Sequence, residues 1–122
     1  MNIDGTHLSI DTETVGWPMN AIVGSIAIVP FNFMEDKDIT FDELVSRGFY
    51  VKLDCREQKD VYGRKADKPT MKFWETQPTS VKELAIIPKQ DDLKMKDALE
   101  RLNLFVKNCG YQHKTSLCFA LS

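Results

Sequence analysis

Between Ala21 and Phe31 the chain places Ile22, Val23, Ile26, Ala27, Ile28 and Val29 on both sides of an extended pattern. A strand of this kind has no face to give to water, so the sheet containing it must be covered on both sides. Two other strand patterns flank this run. His7 to Thr14 precedes it, and the short connection through Gly16, Trp17, Pro18 and Asn20 reads as the turn of an antiparallel hairpin. Gly48 to Leu53 follows it, with Phe49, Val51 and Leu53 alternating against Tyr50 and Lys52. Phe41 to Val45, inside an acidic stretch, predicts a short helix or turn.

The period then changes. Asp54 to Lys68 is polar, contains Gly63 and reads as a loop. Thr70 is positioned to cap a short helix through Met71, Phe73 and Trp74, which Pro78 ends. A second short helix is predicted from Ser80 to Ile86. The strongest helical pattern runs from about Asp92 to Asn108. Met95, Ala98, Leu99, Leu102, Val106 and Cys109 share one face there, Asp91 or Asp92 stands ready to cap the start, and Gly110 marks the stop. Thr115 to Leu121 is a last β-rich run. The order is β-β-β-α-β, an α/β chain with a mixed sheet. Its 122 residues suit one domain, 1–122.

Charge and cysteine usage narrow the function. The formal net charge is −2, which argues against broad charge-driven binding to duplex DNA. Lys59, Arg64, Lys65 and Lys68 form a basic cluster that reads as a solvated loop. Cys55, Cys109 and Cys118 are scattered, without zinc-site spacing, and read as reduced thiols of a cytoplasmic protein. No run approaches the roughly 18 apolar residues of a membrane span, and no secretory signal pattern opens the chain.

The chemistry is concentrated in Leu8-Ser9-Ile10-Asp11-Thr12-Glu13-Thr14-Val15-Gly16. Alternate residues of a strand share a face, so Asp11 and Glu13 project together from backbone positions about 7 Å apart. Paired carboxylates of this kind suit a hard divalent cation. His7 and His113 each precede a strand and read as turn or surface residues.

Ile10-Asp11-Thr12-Glu13-Thr14-x-Gly16 resembles the first motif of the DEDD 3′–5′ exonucleases, and the element order resembles the N-terminal part of their ribonuclease H-like fold. Phe41-Asp42-Glu43-Leu44-Val45-Ser46-Arg47-Gly48 and Thr70-x-x-Phe73-Trp74-x-x-Gln77 resemble phage exonuclease A and its relatives. The resemblance reaches nearly to Ala120. It implies a nuclease in which four acidic residues hold two Mg²⁺ or Mn²⁺ ions, one activating water and both stabilising phosphoryl charge. Asp11 would bridge the ions and Glu13 would bind one. Thr12, Thr14 and Gly16 would lie beside the 3′-terminal nucleotide, with Trp74 and Gln77 close to the nucleic acid. Phe73 and Trp74 on a short amphipathic helix also read as core residues.

The family's second motif is an Asp shortly after the fourth strand, here Ser116 to Ala120, and the sequence ends at Ser122. Its third motif pairs a His with an Asp five positions on, whereas Cys118 stands five positions after His113. The expectation is therefore a truncated domain with two of the four metal carboxylates. It would hold one ion weakly and be inactive or impaired alone. The alternative expectation is a non-catalytic nucleic-acid-binding or interaction remnant that pairs with another polypeptide. The expected partners are a single-stranded 3′ end and either a second copy or a complementing chain. The resemblance places the protein in the cytoplasm of a phage-infected bacterial host.

Overall fold

The computed structural model describes residues 5–17, 19–114 and 116–121; Pro18, Thr115 and Ser122, named above, lie outside them. The chain runs β1 (His7–Thr14), β2 (Val23–Phe31), α1 (Phe41–Ser46), β3 (Phe49–Lys52), α2 (Cys55–Asp60), α3 (Lys68–Glu75), α4 (Thr79–Ala85), α5 (Met95–Asn108) and β4 (Cys118–Leu121). The strands form one sheet in the order β3-β2-β1-β4. β1 and β4 are parallel, with Leu8 opposite Cys118 and Asp11 opposite Leu121. A parallel pair requires a crossover, and the helical stretch between them supplies it. The connection between β1 and β2 is too short for a crossover, so those neighbours run antiparallel and the sheet is mixed. The α/β class and the β-β-β-α-β order expected for the N-terminal part of a ribonuclease H-like fold are both found. No helix among the described residues is long and apolar enough to cross a membrane.

The chain divides into two compact units, Met1–Asp11 with Ala27–Tyr50 and Glu100–Ser122, and Thr12–Ile26 with Val51–Leu99. In the first, His7 departs from its expected surface position. It is fully buried, and its ring lies 5.8 Å from that of Phe31 and 5.1 Å from that of Phe33. Nδ1 accepts the Leu117 N–H at 2.8 Å, while Nε2 has no partner among the described residues. The ring thereby joins the start of β1 to the approach to β4. His113 is exposed in a turn, as read from sequence. Thr40 and Glu43 close a reciprocal capping box that starts α1. Arg47 pairs with Asp36 at 2.8 Å.

The second unit packs Val15, Ile22, Trp74 and Ala85 together, with Cys55 and Ile86 against them. Burial pushes the Cys55 thiol above its ordinary pKa, which makes it a packing group rather than a nucleophile. β2 passes so close to the end of α4 that a Cβ at Gly24 would fall 2.5 Å from the Ala85 carbonyl oxygen. Glycine is required there.

Three helix starts differ from the sequence reading, each for a local hydrogen-bonding reason. The stretch from Asp54 opens with α2, not a loop, because the Asp54 side chain caps it through the Glu57 N–H at 3.0 Å. Six residues are too few to display a helical period. α3 is capped by Asp67 rather than Thr70. The Asp67 carboxylate accepts the Thr70 N–H at 2.8 Å, and Pro69 sits in the first turn. α5 begins at Met95, whose N–H donates to Glu57 Oε1 at 2.7 Å. Asp92 is instead taken by the Lys89 N–H at 2.9 Å and Lys52 at 2.7 Å.

α2 also contributes Gln58, which is fully buried. Its Oε1 accepts the Val23 N–H at 2.9 Å and its Nε2 donates to the Val23 carbonyl at 2.8 Å. The side-chain amide thus pairs with β2 as a neighbouring strand would. Gln58→Leu keeps the bulk and strands both backbone groups, so it should cost about 2–4 kcal/mol. Urea denaturation of the variant should show a lowered midpoint with an unchanged slope.

Candidate functional site

Asp11 and Glu13 occupy alternate positions of β1, both half-buried, with the exposed Thr12 between them. Their oxygens are the donor type that Mg²⁺ and Mn²⁺ prefer. Among the described residues, no three His, Cys, Asp or Glu side chains are grouped so as to hold a metal. The chemistry of the pair fits a hard divalent ion.

The turn after β1 is fixed from several directions. The Thr14 hydroxyl donates to the Gly16 carbonyl at 2.8 Å. Val15 N–H donates to the Ile22 carbonyl at 3.0 Å, and Asp67 N–H donates to the Val15 carbonyl at 3.1 Å. The Asp67 carboxylate accepts the Trp17 N–H at 2.6 Å. Arg64 donates from Nε to the Ala21 carbonyl at 2.7 Å and from Nη2 to the Met19 carbonyl at 3.0 Å. Lys65 N–H donates to the Asn20 carbonyl at 2.9 Å, and Ile22 N–H returns to the Lys65 carbonyl at 2.9 Å. The turn is therefore laced to residues 64–67.

Gly16 lies at the tightest point. A Cβ there would stand 3.0 Å from both the Lys65 carbonyl oxygen and the Ala21 Cβ, and 3.3 Å from the Asp67 carboxylate. The glycine of the motif thus serves close approach of two backbones as well as any contact with a ligand.

Trp74, read from sequence both as a nucleic-acid contact and as a core residue, lies in the core. It is only 4% exposed, and its indole N–H donates to the Thr14 carbonyl at 2.8 Å. A ring packed in the core has no open face for a base; it holds the end of β1 instead. Gln77 turns its amide back onto the Phe73 carbonyl at 3.4 Å and the Thr76 hydroxyl at 3.3 Å. Thr12 alone among the expected β1 contact residues presents an exposed side chain.

Trp17, Phe73, Asp67 and Arg64 were not singled out for this site from sequence. Trp17 is 91% exposed and Phe73 55% exposed. With Asp67, Pro69 and Thr70 they line an open cleft of about 650 Å³. The signal available for Asp67 was its position before Lys68-Pro69-Thr70, an acidic cap followed by proline in the first turn. Nothing local marks Arg64 as a clamp, because its partners lie more than forty residues away in sequence.

Residues 6–120 match the family model described as the 3′–5′ exoribonuclease Rv2179c-like domain. The chain belongs to this 3′–5′ exonuclease family. The family's domain here extends from the start of the β1 segment into β4. The exodeoxyribonuclease of Enterobacteria phage T4 is 35% identical over 98 residues, which is 80% of this chain and 41% of the phage protein. The crystal structure of cell-death related nuclease 4 aligns with 93% of this chain and 34% of its own, at 15% identity and a TM-score of 0.48. The chain thus spans well under half the length of each of these two proteins.

The Thr70 hydroxyl and N–H and the Trp17 N–H together hold the Asp67 carboxyl below its ordinary pKa of 3.8. A folded pKa below the unfolded one contributes stability that is complete above about pH 4 and is lost as pH falls through the lower folded value. Asp67→Asn keeps an acceptor but no charge. Urea midpoints measured from pH 7 to pH 2.5 should fall less steeply below pH 4 in the variant than in the wild type.

Proposed function

We propose that this chain carries the first acidic motif of a metal-dependent exonuclease acting on single-stranded 3′ ends in the cytoplasm. The reading rests on one observation: Asp11 and Glu13, on alternate positions of β1, lead directly into a turn fixed by Asp67, Arg64 and Trp74. Mg²⁺ or Mn²⁺, when bound, supplies water activation and stabilisation of phosphoryl charge. Asp11 and Glu13 would hold it. Thr12, Thr14 and the Gly16 backbone border the path of the terminal nucleotide. The exposed Trp17 and Phe73 rings offer an unpaired base a stacking surface, an interaction worth about 1–3 kcal/mol per base. The family description names RNA and the phage relative's name specifies DNA, so both substrates belong in any assay.

Two carboxylates should hold one ion weakly. Calorimetric titration with Mn²⁺ should show a single weak site in the wild type and none in Asp11→Ala. Tight binding of two ions, or binding unchanged by the substitution, would refute the assignment.

The 122-residue polypeptide by itself should show little or no 3′–5′ exonuclease activity on single-stranded DNA or RNA. A positioned acid–base group typically contributes about 10²–10⁴-fold, and an incomplete metal site costs further. Turnover should appear when a polypeptide carrying the remaining acidic and His motifs is added, and Asp11→Asn should abolish it. Robust activity of the chain alone would contradict the reading.

A second reading is a binding module that works with another polypeptide. It is favoured by β4, an outer strand of the sheet whose Cys118, Phe119 and Ala120 are exposed. Such an edge invites pairing. Light scattering across a concentration range should reveal a dimer under this reading, and a monomer at high concentration would count against it.

A further inference from the structure

From Lys59 to Lys72 the chain carries Lys59, Arg64, Lys65, Lys68 and Lys72 against Asp60 and Asp67. That is a local charge of +3 in a chain whose net charge is −2. Lys59, Lys65 and Lys68 are exposed, as a solvated loop implies, while Arg64 is half-buried. Arg64 is committed to the carbonyls of Met19 and Ala21, and its own N–H donates to the Gln58 carbonyl at 3.0 Å. Gly63 makes the preceding bend with φ of +65°, in the region that favours glycine. The segment is thereby held rigidly enough to shape a surface.

That surface is an open cleft of about 530 Å³ lined by Ile22, Lys59, Gly63, Arg64, Lys65 and Ala66. Ile22, Gly63 and Ala66 give it apolar or small lining. Its walls bring together the exposed Lys59 and Lys65, neither of which joins an ion pair among the described residues. Like charges gathered around a cleft repel one another, and a polyanion lying between them relieves the repulsion and releases counterions. Asp67 and Pro69, two and four residues beyond Lys65, line the cleft of Trp17 and Phe73.

We infer that Lys59 and Lys65 grip the sugar–phosphate backbone of a single-stranded nucleic acid whose neighbouring base rests against Trp17 and Phe73. Two features select a single strand over a duplex. The aromatic cleft requires an unpaired base, and the negative net charge gives no broad field for duplex DNA. The inference rests on the nuclease reading only for the identity of the polyanion; it requires neither a bound metal nor turnover.

The test is fluorescence anisotropy of the full chain with labelled oligo-dT and oligo-rU in EDTA, over a series of NaCl concentrations. Each phosphate contact to a single strand contributes about 0.7 to the slope of log K against log salt. The Lys59→Gln/Lys65→Gln double variant should reduce that slope by about 1.4 and weaken binding about 10- to 100-fold near 50 mM salt. Circular dichroism should show its fold unchanged, since both side chains are exposed. DNA and RNA should lose affinity alike, because the contacts are to the backbone.

Wild type that fails to bind either strand, or a double variant with unchanged slope and affinity, would overturn the inference. Lysine-dependent binding by a chain that shows no metal site would instead support the inference while refuting the proposed catalytic role.

Discussion

The Asp67 carboxylate joins two parts of the second unit that chemistry would otherwise leave independent. One oxygen accepts the Trp17 N–H in the turn after β1, and the other accepts the Thr70 N–H that begins α3. The same residue's N–H reaches the Val15 carbonyl. The helix N-terminus favours the negative charge, and the charge in turn orders the turn. With Asp67 in place, α3 presents Trp74 to the Thr14 carbonyl, and Gly16 allows the backbones to approach. A motif at the end of a strand is only as well placed as the turn that follows it. Here that turn is held by a charged cap, an arginine and an indole N–H.

The organisation of the strands was legible because it depends on local alternation. β1 was read with its observed limits, His7–Thr14, and β2, β3 and β4 with limits within a few residues of those found. The helical face of α5 was legible from its period, although Leu99 is more exposed than that pattern implies. What escaped were interactions between residues far apart in sequence. The alternative partners of Asp92 cannot be seen without knowing that Lys52 is near. Burial of His7 depends on Phe31 and Phe33 closing around it. Trp74 could be read as core or as a base platform, and the distant Thr14 carbonyl decides for the core.

The candidate site shows the same division. The alternate placement of Asp11 and Glu13 on β1 was legible because it follows from strand geometry alone. The exposed aromatic pair, Trp17 and Phe73, was not legible, because exposure is a property of the folded chain. The basic segment carries two roles that composition cannot separate. Arg64 faces inward and fastens the turn, while Lys59 and Lys65 face solvent around a cleft. Family membership accounts for the motif and the order of elements. The clamp and the cleft come from the particular residues of this chain.

The central claim is that the β1 carboxylates form the metal locus of a nuclease domain. Nuclear magnetic resonance with substoichiometric Mn²⁺ tests it most directly, because a bound paramagnetic ion broadens the amide signals around it. The account predicts broadening centred on the amides flanking Asp11 and Glu13, absent in Asp11→Asn. Broadening centred instead on another acidic group, such as Asp36 or Asp54, or no localised broadening at all, would contradict it.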